Sequence, residues 1–394
     1  MLQKDCKHAD GTPKYHWSQE APPEREVSTS WPVVPHRSAP VLCDTPWSDY
    51  LETPQVPAID LARDLVLVQE QPCFIAGPPG SGKSFIIKIL AKELREANST
   101  VLVGAFTNAV ARLHDEGRTL HHLLHRAKSF GGWMIIDEAS QIPLAIFAQI
   151  QRFRLSGAKF VFVGDFENQL SAAYDYWRGA PAPELALADS LAFRGICGFN
   201  RISCTTNRRC DPQLFQVYGA IPRMHLDEAL LMLRERFPCT GARPDWELCV
   251  SNAQRIKING QRNARESAEW SGERLKVPLE LNADAQAACL FPGVRLIGRA
   301  TVRGVVNGVL YEVASVTETG ATLRELGRDD ERTVEVRLED MKCLALAGAL
   351  TVFACQGKTL AGRVRLHTNS GHTTTRTLTV GISRATHADL VEVC

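Results

Sequence analysis

Eight residues, Gly77-Pro78-Pro79-Gly80-Ser81-Gly82-Lys83-Ser84, follow the apolar run Cys73-Phe74-Ile75-Ala76 and open onto the helix-like run Phe85 to Leu90. Gly77, Gly80 and Gly82 can take backbone angles closed to other residues, so successive N–H groups can turn inward around a phosphate at a helix N-terminus. Lys83 then sets a charge over the β- and γ-phosphates, and the Ser84 hydroxyl is placed for Mg²⁺. The segment therefore reads as a P-loop that cradles ATP with Mg²⁺. A second group of residues fits the same chemistry. The apolar run Trp133-Met134-Ile135-Ile136 ends in Asp137-Glu138. Asp137 would hold Mg²⁺ through water, and Glu138 would orient and deprotonate the attacking water. A P-loop kinase does not need that second acid, so Glu138 favours hydrolysis over phosphoryl transfer to a metabolite.

Further motifs follow in order. Val101 to Ala111 (VLVGAFTNAVA) reads as a strand ending in Thr107 and Asn108, and Thr119-Leu120-His121-His122-Leu123-Leu124 comes next. The strand Phe160 to Val163 leads into Gly164-Asp165-Phe166-Glu167-Asn168-Gln169-Leu170, and Ile202 to Asp211 carries two adjacent arginines, Arg208 and Arg209. Ala345 to Leu360 contains Gln356-Gly357-Lys358-Thr359, and Leu378 to Ala385 contains Ser383-Arg384. From about Leu61 to Cys394 this series resembles the superfamily 1 helicases.

The resemblance implies roles for these residues. Thr107, with Asn108, His121 and Thr359, would meet a nucleic-acid backbone. Gln169 or Asn168 would sense the γ-phosphate; one residue too many separates Asp165 from Gln169, but Leu170 follows Gln169 as the family pattern requires. Arg209, or alternatively Arg208, would reach the γ-phosphate, with Arg384 as the other arginine finger and Gln356 beside them. Arg209 is preferred for its place against Asp211. Gln69, upstream of the P-loop, is similar to a Gln that reads adenine in relatives. Phe353 and Ala354 stand where the family has His and Lys, so contact with a strand is the property those changes affect.

The elements needed to position these groups are alternating strands and helices, which predict an α/β protein of two RecA-like domains with parallel sheets. The expected domains are a first ATP-binding domain at 57–197 and a second at 198–394. Alternating apolar and polar residues from Pro292 to Val313, about Asn307-Gly308, predict a β-hairpin. With Ala321 to Leu323 and Thr333 to Val336, this suggests a small insert at about 291–340. It resembles the SH3-like module of RecD-like helicases, the branch that moves 5′ to 3′. Leu248 to Ala253 through Asn259 reads like the flanking segment of that branch.

Composition sets the remaining bounds. At 394 residues and 44% apolar content the chain can bury two cores. The net charge of +1 provides no global basic field, so strand binding would rest on a local patch and be salt-sensitive. The absence of a long apolar run predicts a soluble, intracellular protein that does not enter a membrane. Its 12 cysteines include no C-x-x-C pair and are expected as reduced core thiols. Cys6, His8, His16, His36 and Cys43 fit no known zinc spacing. Residues 1–56 hold eight of the 21 prolines and read as an extended arm that could meet a protein partner.

Together these features predict an ATP-dependent helicase or translocase on single-stranded nucleic acid, DNA favoured over RNA. The alternative is a remodeller that uses ATP as a switch without unwinding. Only nine residues, His125 to Trp133, separate Leu124 from Met134, where relatives place a duplex-splitting hairpin, so little unaided unwinding is expected.

Overall fold

The computed structural model describes residues 48–50, 57–126, 129–170, 176–177, 180–181, 187–327 and 332–394. The arm at 1–56, with its candidate zinc ligands, lies outside them except for a short strand at Ser48–Tyr50.

The first layer is a seven-stranded parallel sheet ordered β1-β9-β2-β6-β5-β3-β4. Its strands are β1 (Ser48–Tyr50), β2 (Cys73–Ala76), β3 (Val101–Ala105), β4 (Arg118–Thr119), β5 (Trp133–Asp137), β6 (Lys159–Gly164) and β9 (Asn200–Ser203). The central strands are continuous apolar runs because helices cover both sheet faces. β2 and β5 are buried along their whole length. On one face α1 (Ala58–Arg63) and α2 (Lys83–Glu96) pack with Ile75, Ile87, Leu90 and Ile135. On the other, α5 (Leu144–Arg154) and α6 (Leu191–Ile196) enclose Phe74, Phe147, Phe162 and Phe193. Two short helices, α3 (Asn108–Ala111) and α4 (Leu120–Arg126), follow β3 and β4, and a two-residue hairpin pairs β7 (Tyr176–Trp177) with β8 (Ala180–Pro181).

The strand expected to open the second domain instead completes the first. β9 lies between β1 and β2, with Ile75 opposite Ile202, so the crossing falls after Ser203 rather than at 197. A buried β2 needs a neighbour on each side, and Ile202 supplies an apolar side chain that is fully buried there.

The second layer is a four-stranded parallel sheet ordered β18-β10-β19-β20, made of β10 (Trp246–Cys249), β18 (Ala349–Thr351), β19 (Val364–Leu366) and β20 (Val391–Val393). Around it stand α7 (Pro212–Ala220), α8 (Leu226–Arg236), α9 (Asn252–Glu269), α10 (Val352–Cys355) and α11 (Thr375–Ile382). Asn259 of α9 is 2% exposed. Its Nδ2 donates to the carbonyls of Leu346 (2.8 Å) and Ala349 (3.0 Å), and its Oδ1 accepts from the Ala349 N–H at 2.7 Å. Asn259→Ala strands three buried backbone groups, so thermal or urea unfolding should show a loss of about 2–4 kcal/mol.

A hairpin of β11 (Leu275–Val277) and β12 (Ala288–Leu290) leads into a five-stranded antiparallel sheet inserted in the chain between β10 and β18 of the second layer. Its order is β16-β15-β14-β13-β17, comprising β13 (Arg295–Gly298), β14 (Leu310–Thr317), β15 (Gly320–Glu325), β16 (Thr333–Arg337) and β17 (Leu344–Leu346). It has its own apolar core, including Leu296, Tyr311, Leu323 and Val336. The β insert is thus present, but the expected strand from Val302 to Val306 is not. Those residues belong to the loop between β13 and β14, where Val302 and Val305 form a single bridge. The Gly308 N–H donates to Gly298, which fixes Asn307-Gly308 as a loop corner rather than a hairpin turn.

The expectation for cysteine holds in the core but fails at one pair. Cys73, Cys249 and Cys355 are buried free thiols, with burial pushing Cys73 and Cys249 up to about 12 and Cys355 to about 11. Cys239 and Cys394 instead form a disulfide, with Cα atoms 6.1 Å apart. The segment after α8 runs beside β20, the Val393 N–H bonding the Phe237 carbonyl, and this brings the two thiols together. Among the described residues, no helix is long and apolar enough to cross a membrane.

Candidate nucleotide site and strand cleft

Between β2 and α2 the chain reverses on Gly80 (φ +80°) and Gly82 (φ +87°), left-handed angles that carry little cost only for glycine. Gly82 directly precedes α2, so the free N–H groups of a 14-residue helix face the loop. Lys83 is buried, and its Nζ donates to the carbonyls of Gly77 (2.6 Å) and Pro78 (2.8 Å). Ser81 Oγ donates to Pro78.

The acids lie on the neighbouring strand end. Ser84 Oγ is 3.4 Å from Asp137 Oδ2, which joins the two expected Mg²⁺ holders. Asp137 Oδ1 accepts the Glu138 N–H at 2.8 Å. Glu138 has φ +51°, an angle that costs a non-glycine residue about 1–2 kcal/mol. It is buried, and its Oε2 has no hydrogen-bond partner. Burial, then the adjacent Asp137 charge, pushes its carboxyl up to about 7, against the pull of Lys83 and Arg384.

Opposite the acids, Gln169 is 3% exposed, and its Oε1 accepts from Gln356 Nε2 at 2.9 Å, linking the first layer to the turn after α10. Asn168 is spent locally: its Nδ2 donates to both oxygens of Asp165. The extra residue of this motif is absorbed by a turn in which Asp165 Oδ1 accepts the N–H groups of Glu167 and Asn168, leaving Gln169 to face the site.

The loop after β9 brings both arginines to the P-loop. The Arg208 backbone N–H donates to the Gly80 carbonyl at 2.7 Å, and its side chain is exposed beside Gly82. Arg209 lies over Gly80, where an added methyl group would sit 3.1 Å from its Cβ. Its Nη2 donates to the Ser383 carbonyl (2.7 Å), its Nη1 reaches Thr359 Oγ1 (3.5 Å), and its buried Nε has no partner. Burial, then repulsion from Arg384, pulls Arg209 down to about 10. Its expected neighbour Asp211 is otherwise engaged, capping α7 through Leu214 N–H and accepting from Ala388 N–H. Tyr218 of α7 donates to the Pro79 carbonyl at 2.7 Å.

Two expected placements need correction. Arg384 is 1% exposed and its guanidinium is spent within the second layer, on Val380 O (3.0 Å), Lys358 O (3.1 Å) and Ser383 Oγ (2.9 Å). In this conformation it stabilises the second layer and acts on the site through its field. Gln69 is exposed, with its amide held by Asp64 at 2.7 Å, so no adenine pocket is built around it here.

At α3, Thr107 Oγ1 accepts the Val110 N–H and caps the helix that Asn108 begins. His121 is exposed, with its ring 5.4 Å from that of Phe106. A cleft of about 380 Å³ opens between α3, the β insert and the turn after α10, lined in part by Arg112, Trp246, Arg295, Lys358 and Thr359. Arg295 stacks 4.3 Å over the Trp246 ring. Arg112 closes the cleft on Glu325 of β15 at 2.7 Å. Thr107, Asn108 and His121 are not part of this lining, whereas Thr359 is. Lys358, which sequence reasoning passed over, donates to the Ala354 carbonyl, so a cation stands one turn from the position that lacks the family's Lys.

His114 was also missed. It follows α3, is buried, and its Nε2 lies 2.8 Å from Asp137 Oδ2. No spacing rule marks it, because β4 and α4 separate it from β5 in the chain.

These residues fit MgATP. The left-handed glycines, the Ser84–Asp137 pair, and the partnerless Glu138 Oε2 and Arg209 Nε all converge on one place. Fold and site together define a P-loop ATPase built of two parallel α/β layers. Residues 59–175 match the AAA domain family model. No curated protein sequence matches the chain. Among solved structures, the chain resembles a Pif1 helicase described in a study of DNA unwinding at forked duplexes, at 22% identity over 86% of this chain and 91% of that one, with a TM-score of 0.61. It resembles the Bacteroides Pif1 helicase in complex with ADP-AlF3 and ssDNA at 20% identity (86% and 92% covered, TM-score 0.61). The Pif1 helicase of Candida albicans matches at 18% identity (86% and 93% covered, TM-score 0.62). The chain therefore has the two-layer fold of the Pif1 helicases.

Proposed function

We propose that the chain is an ATP-dependent helicase or translocase that moves 5′ to 3′ on single-stranded nucleic acid, DNA rather than RNA. The observation that carries this reading is the Gln169–Gln356 bond, which joins the two layers at the phosphate end of the P-loop. A nucleotide whose γ-phosphate comes and goes beside that bond changes how the layers meet. Relatives of the same fold are described with ssDNA and with a nucleotide analogue, which supports DNA as the track.

Mg²⁺, when bound, would be held by Ser84 and Asp137 and would neutralise phosphate charge. Glu138 takes the proton of the attacking water and, being buried without a partner, needs no competing bond to be broken first. Lys83 exchanges its two loop carbonyls for phosphate oxygens, and Gln169 with Arg209 holds the γ-phosphate. The strand lies along α3 and the cleft beyond it, held by Thr107 and Asn108 and by the cations Arg112 and Lys358, so its affinity falls with salt.

ATP turnover measured with single-stranded DNA, single-stranded RNA and no polymer tests the reading. Stimulation of about tenfold or more is expected with DNA, and no response to either polymer would overturn it. The connection from α4 to β5 is short, so displacement of streptavidin from a single strand is expected to outpace unwinding of a tailed duplex of a few tens of base pairs. Efficient unwinding by a chain lacking residues 1–55 would refute that part.

A further inference from the structure

We infer that His114 is a positioning residue that ties the helix facing the strand to the Asp137 carboxylate, so that strand occupancy is registered at the Mg²⁺ end of the nucleotide site. This rests on the functional reading above and names the device by which strand and nucleotide would communicate.

The first ground is energetic. His114 has a side chain 2% exposed, and so loses nearly all its hydration. Its Nε2 meets Asp137 Oδ2 at 2.8 Å while its Nδ1 has no partner. An imidazole that donates Nε2–H and leaves Nδ1 as an unused acceptor gains one charge-assisted bond for the desolvation of the whole ring. A leucine would fill the same space at no such cost. The bond acts on the carboxylate: Asp137 Oδ1 is fixed by the Glu138 N–H, and His114 fixes Oδ2, the oxygen that Ser84 also approaches.

The second ground is where α3 sits. Its C-terminal turn carries His114 rigidly, with the His114 N–H on the Ala111 carbonyl and the Gly117 N–H on the His114 carbonyl. Val110 packs on Gly357, where a methyl group would lie 2.6 Å from Val110 Cγ2. Arg112 holds Glu325 of the β insert at 2.7 Å. Six consecutive residues, Ala109 to His114, thus touch the strand cleft, the second layer, the insert and, through His114 alone, the metal carboxylate. A strand that draws Arg112 away from Glu325 moves the helix and with it the imidazole. Packed interfaces of this kind switch between arrangements rather than deform smoothly.

The test uses the full chain and three variants: His114→Gln, whose amide nitrogen can occupy the Nε2 position; His114→Asn, whose shorter side chain reaches only the Nδ1 position; and His114→Leu, which fills the space without a donor. Three quantities are read: oligo-dT affinity without nucleotide, strand stimulation of ATP turnover, and the Mg²⁺ midpoint for binding of a fluorescent ADP with and without oligo-dT. In the wild type, oligo-dT is expected to shift the Mg²⁺ midpoint. In Asn and Leu that shift should vanish and stimulation fall about tenfold, with strand affinity changed less than about twofold. Gln should retain most of both. The inference is overturned if Asn or Leu keeps the wild-type shift, or if Gln is as uncoupled as Asn. The Gln and Asn pair decides the matter even if Leu fails to fold. If the wild type itself shows neither strand binding nor stimulation, the functional reading fails, and this inference with it.

Discussion

Glu138→Gln is expected to lower ATP turnover by about two to four orders of magnitude while leaving nucleotide binding intact. Gln keeps the volume and the strained φ of +51° but cannot accept the water's proton. Single-turnover hydrolysis and binding of a fluorescent ATP separate the two effects, and wild-type hydrolysis by the variant would remove Glu138 from the role of base. The same change should stabilise the nucleotide-free protein at alkaline pH. The Glu138 carboxyl is pushed up to about 7 by burial and by Asp137. A carboxyl raised above its unfolded value contributes stability that is fully present below about 4.5 and lost as pH rises through about 7. At pH 8 the wild type has lost that contribution and buries a charge without a partner, whereas Gln has none to lose. The variant should then be more stable by up to about 3 kcal/mol at pH 8, converging on the wild type near pH 4. Equal melting temperatures for the two proteins at pH 8 would contradict the buried, partnerless carboxylate.

The two arginines are expected to fail in different ways. Arg209→Ala removes a cation whose Nε has no partner and whose charged form is disfavoured by burial and by Arg384, so folding should survive. Turnover should fall by about two to three orders of magnitude, as for loss of one donor at a transition state, with little change in ATP affinity. Arg384→Ala instead vacates a side chain 1% exposed, strands the Lys358 carbonyl and leaves the Val380 carbonyl and the Ser383 hydroxyl with only their bond to each other. The expected loss is about 3–5 kcal/mol of stability, seen as a lower melting temperature before any assay of activity. Arg384→Lys discriminates further: one ammonium cannot serve three acceptors spread around a guanidinium. A stable, inactive Arg384→Ala protein would return Arg384 to the role of a free arginine finger.

The local chemistry was legible in the residue order. Gly80, Gly82 and Lys83 specify a loop and a helix start within a few residues, and the apolar run before Asp137-Glu138 specifies a buried strand that ends in acids. Such features depend on backbone sterics and on burial of short runs, which act between neighbours in the chain. Periodicity also indicated two α/β layers and a β insert. What needed the tertiary structure were the contacts between segments far apart in sequence. Ile202 shows the same apolar pattern whether its strand opens a second sheet or completes the first, and only the vacant side of β2 decides that it completes the first. Asn168 and Gln169 are equivalent by type, and a turn closed on Asp165 sends one inward and uses up the other. Arg384 reads as a finger by its motif, yet the carbonyls around it hold it in the second layer. Cys239 and Cys394 are 155 residues apart, and His114 and Asp137 lie on separate elements, so no spacing foretells either pair. Hydrogen bonds and thiols act over a few ångströms, and which groups come that close is set by how whole layers pack rather than by local sequence.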